Sequence, residues 1–201
     1  MNNLRLKSVV VLFFSALLTY SAYAENQVDR SEPWRVFKTP DHEIVFVDQH
    51  GLITYEDRMK YAFFSGKCDQ VFNYFRVYTI PQNNDFANLQ DHLLSVRMTS
   101  NNNIVNQLST VLVFTTDPFL LGYLAELSLG WQPLDDVLRD FQFVDELTIE
   151  IVDHAYDEIV RGFNITDYFD IPKNTWNFDG FEQAILEGQR QCYEISEKSI
   201  G

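Results

Sequence analysis

Every histidine in this 201-residue chain has a carboxylate within two positions of it. The densest group follows a predicted strand and consists of Asp153, His154, Asp157 and Glu158. A carboxylate can orient an imidazole for proton transfer, and the two side chains together can bind a divalent cation. This group is therefore the candidate site for a hydrolase or a metal-dependent enzyme.

An exposed acidic turn is the alternative interpretation of the same group, and the sequence favours it. The chain has 29 acidic residues, so carboxylates fall beside histidines by chance, and the spacing matches no common metal-ligand pattern. The motifs Gly-x-Ser-x-Gly, His-Glu-x-x-His and Cys-x-x-Cys and a glycine-rich phosphate loop are absent. We assign no catalytic residue, no metal ligand and no cofactor, and the sequence favours a non-catalytic protein.

Aromatic residues form the second candidate site. Residues 71–80 read as a strand in which Phe72, Tyr74 and Tyr78 share one face, and Trp131 could join them. Such rings can stack on a sugar or receive a peptide. Aromatic side chains also dominate ordinary cores, so core packing is the alternative.

The charge balance bears on the partner. The formal net charge is −14 and the sequence pI is about 4.5. Binding to nucleic acid relies on cations that contact phosphates, so this balance argues against a nucleic-acid partner. An acidic protein can instead be steered electrostatically towards a basic protein, and we predict a partner of that kind.

The N-terminus has the layout of a secretory signal peptide. Arg5 and Lys7 precede an apolar run, and small residues then favour cleavage between Ala24 and Glu25. The run is shorter than a membrane span, and no later segment is long and apolar enough to be one. We predict a signal peptide over 1–24, a flexible lead over 25–33 and an acidic domain that is periplasmic or secreted.

The two cysteines, Cys68 and Cys192, both lie in the predicted mature chain. Thiols usually pair in an oxidising compartment, so we predict a disulfide between them. A nucleophilic cysteine or a thiolate metal ligand is the alternative, but neither local sequence resembles a known nucleophile motif.

The elements that must position these residues are mostly strands. Alternating patterns predict strands over 34–39, 43–48, 52–55, 59–64, 71–80, 93–99, 108–116 and 147–152. Helices are predicted over 119–129 and 133–141. A last helix begins near Asp179 and places Cys192 on its apolar face.

We therefore expect one α+β domain over 34–201. It would contain an antiparallel β-rich sheet or sandwich, a few helices and an amphipathic C-terminal helix packed on the sheet. The functional hypothesis is a non-catalytic binding protein of the bacterial periplasm. The alternatives are the enzyme described above and a structural protein associated with the envelope.

Overall fold

The computed structural model describes residues 34–41, 43–83, 85–152 and 164–198. These residues form nine strands: β1 Arg35–Lys38, β2 Ile44–His50, β3 Arg58–Phe64, β4 Gln70–Thr79, β5 Leu93–Ser100, β6 Asn106–Phe119, β7 Gly122–Pro133, β8 Glu146–Val152 and β9 Lys173–Asn177. They also form three α-helices: α1 Leu134–Phe141, α2 Ile165–Tyr168 and α3 Phe181–Lys198. A short 3-10 helix spans Phe86–Leu89.

All nine strands belong to one sheet with the order β1-β2-β3-β4-β7-β6-β5-β8-β9, and each strand is antiparallel to its neighbours. The sheet curls into a half-barrel. The predicted fold class, a mostly antiparallel sheet with a few helices and a C-terminal helix packed on it, is confirmed.

Helix α3 packs against β1, β2 and β3. Its buried face is the one that the helical spacing predicts, and it comprises Phe181, Ala184, Ile185, Gly188, Cys192 and Ile195. The approach is closest at Gly188, where a Cβ atom would lie 2.6 Å from a Val47 methyl carbon and 2.9 Å from the Phe63 ring. The helix can therefore reach the sheet only because this position lacks a side chain.

The sulfur atoms of Cys68 and Cys192 lie 2.09 Å apart, which is disulfide distance. Cys68 is in the turn between β3 and β4, and Cys192 is in the buried face of α3. A bond between them joins the C-terminal helix to the sheet, as the sequence predicts.

The curl of the sheet is closed by the segment between β2 and β3. Leu52 donates its backbone N–H to the carbonyl oxygen of Thr175 in β9 at 2.8 Å. The buried Asn174 side chain accepts the N–H of Ile53 at 2.9 Å and donates to the carbonyl oxygen of Thr54 at 3.1 Å. Because β3 is third and β9 is last in the sheet order, these bonds link two distant parts of the sheet.

The helix predicted over 119–129 is wrong, because this stretch belongs to a hairpin of β6 and β7. Leu120 has a φ of 52° at the tip, where Leu120 and Leu121 are exposed. Pro118 is tolerated in β6 because it lies beyond Leu112, the last residue of that strand that pairs with β5. On the β5 side, the missing N–H of proline therefore leaves no ladder bond unmade.

Several sequence predictions lie outside the described residues. They are the signal peptide, its cleavage between Ala24 and Glu25, the lead over 25–33, and the Asp153, His154, Asp157 and Glu158 group. Within the described part of the chain, no helix is long and apolar enough to cross a membrane.

Candidate functional site

The surface that faces away from helix α3 carries the predicted aromatic site. We call the side chains of β1 to β4 and β7 that point this way the outer face. Alternation along β4 directs Val71, Phe75 and Val77 into the core, while Phe72 and Tyr74 point outwards. The rings of Phe72 and Tyr74 lie 5.6 Å apart between centroids, and Trp131 lies 5.5 Å from Phe72.

Not all of the predicted aromatic residues join this group. Tyr78 packs 6.1 Å from Phe119, near the tip of the β6–β7 hairpin. Trp34 and Trp176, the other tryptophans of the chain, belong to the hydrophobic core. Phe72, Tyr74 and Trp131 therefore form the part of the predicted site that the structure brings together.

Strand register extends these rings into a row across the sheet. Phe37 pairs with Phe46, Phe46 with Ala62, Ala62 with Phe72, and Phe72 with Trp131. Paired residues place their side chains on the same face, so these five residues make a continuous apolar row, which we call the aromatic row. Trp131, at one end, remains 44% exposed.

Two β-bulges aim further rings at the outer face. Asn73 pairs with Gly130 but Tyr74 pairs with Ser128, so Leu129 is the extra residue of a bulge in β7. Without this bulge, Ser128 and Trp131 would point to opposite faces, since they are three positions apart. Gly130 allows the backbone to form this bulge, because its φ of 91° is a conformation that favours glycine.

The second bulge lies in β6, between Val113 and Thr115. Its extra residue, Phe114, has its ring centroid 5.8 Å from that of Phe72 and 5.4 Å from that of Tyr74. Phe64 completes the group, 5.1 Å from Trp131. Sequence reasoning missed Phe37, Phe46, Phe64 and Phe114. The alternation of β1, β2 and β3 could have indicated the first three, but no local signal marks the bulge at Phe114.

Ion pairs border the aromatic row. Arg35 donates to both carboxylate oxygens of Asp48 at 2.9–3.0 Å, and Arg58 donates to Asp48 at 3.0 Å. Arg76 pairs with Glu126 on the neighbouring strand. The guanidinium groups of the outer face are thus held by its two carboxylates.

Lys60 lies between the aromatic row and the ion pairs, and it differs from the three arginines because no carboxylate of the described residues pairs with it. Its side chain is only 7% exposed, and its nitrogen lies 5.0 Å from the Phe46 ring centroid and 5.3 Å from that of Tyr74. These are cation–π distances. Burial is the main cause that lowers the pKa of Lys60, and the positive charge of Arg76 adds to it, while the charges of Glu126 and Asp48 oppose it. Within the described residues, its ammonium forms no ion pair and no hydrogen bond.

The outer face therefore carries more positive than negative charge, although the protein is acidic. Its cations are Arg35, Arg58, Lys60 and Arg76, and its carboxylates are Asp48 and Glu126. Beside these strands, the β3–β4 turn adds Lys67, 5.1 Å from the Trp131 ring centroid, and β6 adds Asp117.

Acidic side chains line a separate cleft of about 600 Å³. The cleft lies where the α1–β8 connection meets the β9–α3 connection, and its carboxylates are Asp145, Glu146, Asp179 and Glu182. None of these four forms an ion pair with another described residue. Phe143, which is 66% exposed, lies beside them.

A buried carboxylate lies at the closure of the sheet. Asp57 accepts the backbone N–H of Tyr78 at 2.7 Å and the Asn174 side-chain amide at 2.8 Å. Burial is the main cause that raises the pKa of Asp57 to about 7. The two hydrogen bonds oppose this rise, and the charges of Asp170 and Glu56 add to it. The polar contacts of Asp57 hold the base of a loop, and they indicate a structural role for this residue.

The histidines that the structure describes form no catalytic group. His50 stacks on Tyr55 with ring centroids 3.9 Å apart, and His92 has its Nδ1 2.9 Å from the carbonyl oxygen of Gln90. Among the described residues, no cluster of three or more His, Cys, Asp or Glu side chains could hold a metal ion.

No protein-family model matches this chain, and no match was found among curated proteins or solved structures.

Proposed function

We propose that this chain is an exported, non-catalytic binding domain of the bacterial periplasm and that its outer face holds a protein partner. The N-terminal basic and apolar segments and the small residues before Glu25 support export. In an oxidising compartment the paired sulfurs of Cys68 and Cys192 form a structural disulfide.

The observation that carries this proposal is the aromatic row that ends in Trp131, bordered by arginines and lysines. Protein interfaces are enriched in tryptophan, tyrosine, phenylalanine and arginine, and their strongest contacts come from tryptophan, tyrosine and arginine. An open sheet surface also lacks the concave walls that small-molecule sites use. The row therefore suits a protein segment better than a small ligand.

The charges of the outer face indicate what that segment carries. Four cations and two carboxylates of these strands surround the row, with Lys67 beside Trp131, so a complementary segment is acidic and alternates its acidic residues with apolar ones. An extended segment of this kind presents apolar side chains on one side, at the two-residue period of a strand.

Binding of a defined peptide tests this proposal. The probe is a fluorescently labelled hexapeptide amide of alternating Asp and Phe, and its affinity is measured by fluorescence anisotropy. Trp131→Ala removes the exposed end of the row, and we expect affinity to fall about tenfold or more. Phe143→Ala is the matched control, because it removes an exposed ring from the acidic cleft and should leave affinity unchanged. Equal losses in the two variants, or no binding to the wild type, would refute the proposal.

A basic protein partner, as the net charge predicts, is the second candidate. The observation that favours it is the acidic cleft with its four carboxylates and the adjacent Phe143. A hexapeptide of alternating Lys and Phe is the probe. Its affinity should fall in the double variant Asp145→Asn, Asp179→Asn and should be unaffected by Trp131→Ala. The opposite pattern would exclude the cleft as the basic-partner site.

The enzyme hypothesis for Asp153, His154, Asp157 and Glu158 and the structural envelope role stay predictions.

A further inference from the structure

Lys60 is the one cation of the outer face that is largely buried and forms no ion pair with a described residue. Asp48 and Glu126, the carboxylates of this surface, are taken by Arg35, Arg58 and Arg76. The ammonium lies 5.0 Å from the Phe46 ring centroid and 5.3 Å from that of Tyr74. Within the described residues, no oxygen accepts any of its three N–H groups.

Such an arrangement is unfavourable in the protein by itself. The ammonium of a largely buried lysine loses part of its hydration, and ring faces replace only part of that loss. The burial that lowers the pKa of Lys60 reflects this loss. An incoming anion would meet a group that is already partly dehydrated and held in place by two rings, so it would gain a charge-assisted hydrogen bond at a small ordering cost.

We infer that Lys60 receives a single carboxylate of the partner segment, while the flanking apolar side chains of that segment lie on Phe46, Phe72 and Trp131. This inference rests on the proposed function of the outer face. It goes beyond that function by naming Lys60 as the residue that selects an acidic segment over a neutral one.

A carboxylate fits this position better than a phosphate group. Phosphates are bound best where arginine forks can contact them with two parallel hydrogen bonds. The guanidinium group of Arg35 already donates in this way to both oxygens of Asp48, and Arg76 directs two of its N–H groups to one oxygen of Glu126. Of the two ammonium groups that remain, that of Lys67 belongs to an exposed turn residue, and that of Lys60 lies beside the aromatic row and matches the single charge of an Asp or Glu side chain.

Two peptides that differ only in charge test the inference. The first is the Asp-Phe hexapeptide amide described above, and the second has Asn in place of each Asp. Their affinities are measured for the wild type, for Lys60→Met and for Lys60→Arg. Lys60→Met keeps a side chain of similar length between the two rings, and circular dichroism checks that both variants fold.

The wild type should bind the Asp peptide about tenfold more tightly than the Asn peptide. This preference should disappear in Lys60→Met and persist in Lys60→Arg. Lys67→Met is the control for general charge attraction, because Lys67 also lies over a ring but belongs to the turn. It should keep most of the preference.

Failure of the inference and failure of the proposed function are distinguishable. Equal affinity of the wild type for the two peptides, or an unchanged preference in Lys60→Met, would overturn the role of Lys60. The outer face would still be the binding surface if Trp131→Ala weakened both peptides. If neither peptide bound the wild type, both the proposed function and the inference would be overturned.

Discussion

The buried carboxyl group of Asp57 should make the stability of this protein fall as the pH rises from about 4 to about 7. Asp57 is 1% exposed, and burial is the main reason why its pKa is raised from 3.8 to about 7. In this pH range the unfolded chain has released the proton of Asp57 and the folded protein still holds it. The folded state binds more protons, so the free energy of unfolding decreases with pH.

The size of this effect follows from the two pKa values. Each pKa unit corresponds to about 1.4 kcal/mol, so the rise from 3.8 to about 7 corresponds to about 4 kcal/mol. That stability is present below pH 4 and is lost above pH 7.

Asp57→Asn removes the ionisation and keeps the shape of the side chain. Its amide can still accept the Tyr78 N–H, but its NH₂ group then faces the Asn174 amide, and losing that hydrogen bond costs about 1 kcal/mol. We expect the variant to be about 1 kcal/mol less stable than the wild type at pH 4. At pH 8 it should be about 3 kcal/mol more stable.

Urea denaturation followed by tryptophan fluorescence at several pH values measures both quantities. Asp85→Asn is the control, because Asp85 is exposed and its side chain makes no capping hydrogen bond. A difference between Asp57→Asn and the wild type that is the same at pH 4 and pH 8 would refute the reasoning. So would a variant that is destabilised at pH 8.

Three further predictions concern the packing. Gly188→Ala should lower the free energy of unfolding by about 1–3 kcal/mol, since the added methyl group collides with Val47 and Phe63. Leu186→Ala, on the exposed side of α3, should change it little, and equal effects of the two variants in urea denaturation would contradict the packing. Gly130→Ala should cost about 1–2 kcal/mol by the same measurement, because its φ of 91° is unfavourable for alanine although the Cβ would meet no atom; an unchanged stability would mean that the bulge relaxes. The double variant Cys68→Ala, Cys192→Ala should lose about 2–5 kcal/mol relative to the oxidised protein, and two free thiols in a mass measurement of the exported protein would contradict the disulfide.

Local patterns were enough to predict much of the fold. The two-residue period identifies β4 and β8, and the spacing of Phe181, Ile185 and Cys192 identifies the buried face of α3. The pairing of Cys68 with Cys192 is predicted from the oxidising compartment, and the helical spacing separately places Cys192 on the side of the helix that faces the sheet.

The β6–β7 hairpin shows why the rest could not be predicted. The sequence Asp117-Pro118 is typical of a helix start, and Gly130 is typical of a helix end. Both residues have other roles here: Pro118 lies beyond the end of β5, and Gly130 forms a bulge against β4. Sheet order and neighbouring strands decide these roles, and neither is a local property.

The candidate site depends on the same non-local features. Phe72 and Tyr74 follow from alternation in one strand, but Trp131 and Phe114 reach them only through bulges in β7 and β6. The net charge of the chain also gives no indication that cations gather around these rings.

The most direct test of the outer face uses the three tryptophans as internal probes. The indole N–H signals of ¹⁵N-labelled protein are recorded while the Asp-Phe hexapeptide is added. Trp131 lies on the outer face, whereas Trp34 and Trp176 are buried in the core. We predict that the Trp131 signal shifts with saturation and that the other two stay in place. A Trp131 signal that does not move, or equal shifts of all three signals, would contradict binding at the outer face.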